Sequence, residues 1–161
     1  MPKSKKVQKQ EKDKSKCCIL CKKIALFGVI FAVISLIIHV IGSFLSMSYY
    51  VNSDYFDLWS KIMMPTAGPP GIWFYVLSLL FSFISGAIFA WVFTVIKRGV
   101  PFKGIVRGII YSLLVFLVST IPGDLSMILL LAVPYMLVLY WTIECLVTYV
   151  IMGVILGKMF K

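Results

Sequence analysis

The chain has 161 residues, of which 61% are hydrophobic and 14% charged, and its mean hydropathy is +1.00. That excludes an ordinary soluble domain, because the long apolar runs lack the charged face that an amphipathic helix keeps toward water. Sixteen Lys and Arg against six Asp and Glu give a net charge of +10, gathered in a few places. The class expected is an all-α integral membrane protein, with four transmembrane helices packed as a small bundle.

Residues 1–23 carry nine lysines against Glu11 and Asp13 and show no apolar periodicity before Cys17. A disordered basic tail is expected, serving as a topology signal, with the membrane domain occupying 24–161. Nucleic acid is a disfavoured partner, because a lysine block is unspecific. The apolar run that follows is too long for a cleaved signal peptide and reads as an anchor. Cys17, Cys18 and Cys21 sit at the basic boundary. Cys18 and Cys21 have half of a zinc-site spacing with no second half, so reduced thiols are favoured over a metal site or lipidation.

The first span is expected at 24–47. Gly28, Ala32, Ser35, His39, Gly42 and Ser46 recur at steps of three and four and share one narrow face, while Ile30, Ile34, Ile37 and Ile41 lie opposite. Small residues let backbones approach and large aliphatics suit lipid, so His39 is expected to face protein. In the outer loop, residues 55–64 have apolar positions at helical spacing, with Asp54 as a candidate N-cap. A short interfacial helix is expected there, stopped by Pro65. The second span is expected at 72–96, with Ser78, Ser82, Gly86 and Ala90 four apart as a packing ridge.

Lys97, Arg98, Lys103 and Arg107 form a basic turn leading into a third span at 104–121, where Gly108, Ser112 and Ser119 lie on one face. Pro122-Gly123-Asp124 is read as its end. Leu125 to Gly157 would make one helix of ~50 Å, too long for an ordinary span. Pro134 divides it into an interfacial segment at 125–133 and a fourth span at 134–157. Gly153 and Gly157 form a G-x-x-x-G pair suited to packing within or between chains.

With four spans and both termini cytoplasmic, fifteen of the sixteen Lys and Arg fall inside and only Lys61 outside. This asymmetry favours that orientation, and the lipid bilayer with anionic headgroups is the expected partner of Lys22, Lys23, Lys97, Arg98, Lys103 and Arg107. A homo-oligomer or a membrane-protein partner is the other partner class. A prokaryotic cell membrane is preferred to a eukaryotic one.

Counted from the basic ends, His39, Ser82, Ser119 and Glu144 all lie ~20–22 Å deep. A carboxylate at mid-depth is costly unless it is neutral, paired or beside water. A polar layer of Glu144, His39, Ser82, Ser119 and Thr148 is therefore expected, with Glu144 bonded to His39. The helix-packing positions expected are Gly28, Ala32, Ser78, Gly86, Gly108, Gly153 and Gly157. No phosphate loop, zinc-protease motif or nucleophilic triad occurs, so no enzyme, cofactor or metal is assigned. A structural or accessory bundle is favoured, with a minimal proton-linked transporter centred on Glu144 and His39 as the alternative.

Overall fold

The computed structural model describes the backbone of residues 5–64 and 69–160, and the side chains of 14 and from 17 onward within them. Residues 1–4, 65–68 and 161 lie outside the described residues, and with them the expected helix stop at Pro65. The described elements are all helical: α1 (Lys5–Leu45), α2 (Met47–Tyr50), a 3-10 turn (Ser53–Leu58), α3 (Ile72–Ile96), α4 (Gly104–Val115), a π segment (Phe116–Thr120), α5 (Ile121–Leu130) and α6 (Tyr135–Met159).

Four stretches are long and apolar enough to cross a membrane: Cys17–Leu45, Ile72–Ile96, Gly104–Leu130 and Tyr135–Met159. Four such helices in an all-helical fold are compatible with an integral multi-pass membrane protein. α4 packs most extensively on α6 and α3 on α1, and α1 also contacts α6. Tyr111 closes the ring of helices, its buried hydroxyl donating to the Phe89 carbonyl of α3 at 2.8 Å.

The core is aromatic and sits toward the basic end. Phe27, Phe31, Phe89, Phe93, Tyr111 and Phe160 are buried with Ala90, Met152 and Leu156. The glycines make the close crossings. A Cβ on Gly86 would stand 2.5 Å from the Phe31 Cβ and 3.1 Å from the Gly28 Cα. One on Gly108 would overlap the Gly153 carbonyl, and one on Gly157 would stand 2.5 Å from the Gly104 carbonyl. The G-x-x-x-G pair thus packs within the chain. Ala32 is buried, whereas Ser78 is half-buried and faces a cavity instead of a helix crossing.

Several expectations are corrected. α1 starts at Lys5, where an unstructured tail was expected; no Gly or Pro interrupts 5–23, and its Lys, Gln and Glu are good helix formers, so the helix runs on from the span. Ile30 and Ile34 pack at the edge of the core, and the outer face of α1 is instead Leu26, Val29, Val33, Ile37 and Ile41. The loop between α1 and α3 forms a 3-10 turn at Ser53–Leu58 in place of an α-helix at 55–64, and Asn52 caps it by accepting from the Asp54 N–H at 3.1 Å, so Asp54 is not the cap.

The third span does not end at Pro122. Helical backbone continues from Gly104 to Leu130, so 125–133 is no separate interfacial segment, and the break falls at 131–134, where Leu131 is extended. Proline has no N–H, and its ring crowds the carbonyl four residues back. The π segment just before it resolves this: the Ile121 N–H reaches Phe116 O, one residue further back than in an α-helix.

Candidate functional site

His39 and Glu144 meet across the α1–α6 seam, with Nδ1 and Oε2 2.9 Å apart. Antiparallel helices bring them level, since Lys23 meets the Met159 carbonyl and His39 and Glu144 lie about the same helical rise from that contact. In either protonation form a single proton lies between them: the imidazole N–H donates to a carboxylate, or a protonated carboxyl donates to the ring. The environments of the partners differ. The Glu144 side chain is 13% exposed and that of His39 49%.

The seat of Glu144 is Gly42. A Cβ on Gly42 would overlap the carboxyl carbon and Oε1 of Glu144, so the carboxylate occupies the space a side chain would fill. Gly42 is one turn beyond His39 on α1, so helix geometry presents the ring and the notch to the same carboxylate. Above the notch, buried Ser46 donates to Gly42 O at 2.9 Å. Tyr50 follows, buried, accepting from Trp141 Nε1 at 2.9 Å and tilted against Trp59 with centroids 4.9 Å apart. Burial raises the Tyr50 pKa above the ordinary tyrosine range, so its hydroxyl stays neutral at pH 7. Trp59 Nε1 is buried with no hydrogen-bond partner among the described residues.

The remaining members of the expected polar layer go elsewhere. Thr148 is buried but donates to the backbone carbonyl of Glu144 at 2.8 Å. Ser119 is exposed and donates to Val115 O in its own helix. No described hydrogen bond joins half-buried Ser82 to the pair. No third His, Cys, Asp or Glu joins His39 and Glu144 among the described residues, so they do not form a metal-ligand cluster.

Sequence reasoning missed a second polar pair. Asp124 Oδ2 and Thr142 Oγ1 are 2.6 Å apart, joining α5 to α6 half a turn beyond Glu144. Thr142 also lies 2.8 Å from Val138 O. A Pro-Gly-Asp triplet signals a turn, which hid Asp124; the spacing of Thr142 and Glu144 on α6 was the available clue.

His39 also lines a cavity of about 650 Å³ between the halves of α1 and α3 away from the basic end, under Met63, Met64, Pro69 and Pro70 of the loop that joins them. Ser43, Ser78, Tyr50 and Tyr75 give it scattered polar groups, and the rest is apolar. One ring of the dyad thus faces open space while the carboxylate behind it faces protein. Such a volume holds a small organic molecule.

At the basic end, Lys23 Nζ lies 3.3 Å from Met159 O and Lys97 Nζ 3.5 Å from Phe160 O, so both cations cap the end of α6. Arg107 Nε donates to Phe102 O at 2.8 Å, and Lys103 with Arg107 lines a second, smaller cavity. Lys22 and Arg98 are exposed at the same end.

No family model matches the chain, and no curated protein or solved structure matches it.

Proposed function

We propose that the chain is a minimal proton-linked carrier for a small, largely apolar solute bearing one polar group. The observation that carries the reading is the His39–Glu144 pair, bonded at 2.9 Å and open on the His39 side to the outer cavity. A shared proton at mid-depth can pass between ring and carboxylate as a ligand's polar group arrives or leaves, which makes binding and protonation compete for the same atoms. The basic termini and the Lys97–Arg107 turn would face the cytoplasm of a prokaryotic cell, and the cavity would open toward the outside.

A second reading, a structural or accessory subunit, is supported by the fit of Glu144 into the Gly42 notch, which also serves as an interhelix fastener. The two are separated by Glu144→Gln in proteoliposomes loaded with a pH-sensitive dye and challenged with weak acids and amines of graded hydrophobicity. A carrier gives a solute-dependent internal pH change in the wild type that the variant loses while keeping its fold. If no solute moves the dye in wild-type vesicles and the variant matches the wild type in stability and oligomeric state, the pair is structural.

A further inference from the structure

We infer that the cavity at the basic end, between the starts of α4 and the ends of α3 and α6, is a binding site for a phosphate anion, carried either by a phospholipid headgroup or free in solution. It is distinct from the His39 cavity and about 330 Å³ in volume, lined by Phe93, Lys103, Gly104, Arg107, Gly157 and Phe160.

Charge balance carries the argument. Lys23 and Lys97 at this end turn to the terminal carbonyls of α6 and do not line the cavity, although a neutral carbonyl leaves their charge in place. Lys103 and Arg107 instead line the cavity, and no described carboxylate pairs with either. Asp54, Asp57, Asp124 and Glu144 all lie in the other half of the bundle or at mid-depth. Glu11 and Asp13 precede Lys23 by ten residues or more on α1, ~15 Å further out along that helix. Two cations at the mouth of a mostly apolar cavity, with no acid beside them among the described residues, create a field that an anion satisfies.

Shape supports the same ligand. Gly104 has φ +60° and space around the position of an absent Cβ, so the floor beside Lys103 stays open. Arg107 spends Nε on the Phe102 carbonyl, which steadies the guanidinium while leaving its terminal nitrogens to present a fork to phosphate oxygens. Phe93 and Phe160 form the apolar wall, which suits the ester side of a headgroup.

The test uses the full chain and two probes. In nanodiscs of mixed phosphatidylcholine and phosphatidylglycerol, native mass spectrometry counts the phospholipid retained after extraction. In a phospholipid-free detergent, calorimetry measures inorganic phosphate. The headgroup form predicts selective phosphatidylglycerol retention that falls about tenfold or more in Lys103→Gln/Arg107→Gln, with no phosphate heat. The free-anion form predicts a phosphate heat that the same variant abolishes. Lys103→Glu, at an exposed position, repeats the test should the double variant fold poorly. Lys97→Gln should lose stability yet keep the ligand. The proposal is overturned if the wild type shows neither selective retention nor phosphate binding, if the variants match the wild type, or if Lys97→Gln loses as much ligand as the double variant.

Discussion

α6 meets its neighbours in two ways along its length, and glycine has a different task in each. Toward the basic end, Gly153 and Gly157 lie against the α4 backbone at Gly104 and Gly108, so that a Cβ on Gly108 or Gly157 would enter main-chain atoms and one on Gly153 would meet Ser112 Oγ and the Gly108 carbonyl. At mid-depth, Gly42 of α1 leaves a space that a carboxylate fills. The first seam gains dispersion contacts from close approach and excludes every larger residue. The second is filled by the end of a flexible acidic side chain instead of by main-chain atoms.

The sharpest break of this comparison is Gly108→Leu. With no side chain able to move aside, the α4–α6 seam should lose about 3 kcal/mol or more, read as loss of a monodisperse species and a lowered unfolding midpoint in detergent. Gly42→Ala should cost less, about 1–3 kcal/mol, because the obstructing atoms are the end of a side chain. Its cost should shrink when Glu144 is also Ala, since the space is then vacant; a double-mutant cycle should return a coupling of about 1 kcal/mol or more. Additive costs would mean that Gly42 is needed for something other than seating Glu144.

Smaller effects sharpen the boundary of the site. Trp141→Phe removes the 2.9 Å bond to Tyr50 and should cost about 0.5–1.5 kcal/mol by tryptophan-independent circular dichroism. Ser119→Ala should change stability by less than about 0.5 kcal/mol, because its hydroxyl serves only its own helix. A larger loss at Ser119 would restore it to the polar layer.

Much of the bundle was legible from apolar runs alone, since a membrane core demands lengths that few other constraints imitate. The match in depth of His39 and Glu144 could be read by counting helical rise, and the structure brings them within hydrogen-bond distance. The same counting misled for Ser82 and Ser119, because equal depth does not fix which way a helix is rotated. Asp124 was misplaced for a local reason: Pro122 reads as a stop, and only the wider π turn before it lets the helix pass. The cavity beside His39 had no local signature, being enclosed by α1, α3 and a loop far apart in sequence.

What the chain by itself determined is the number of long apolar helices, the clustering of positive charge, and the presence of one acid and one imidazole at similar depth. These follow from composition and from the fixed rise of an α-helix, which need no knowledge of neighbours. Tertiary structure alone decided that Gly42 is the seat of Glu144, that Gly153 and Gly157 close on α4, and that Lys103 and Arg107 face a cavity while Lys23 and Lys97 cap α6. Each of those outcomes depends on the rotation and register of two helices against each other, a property of the pair that neither helix encodes alone.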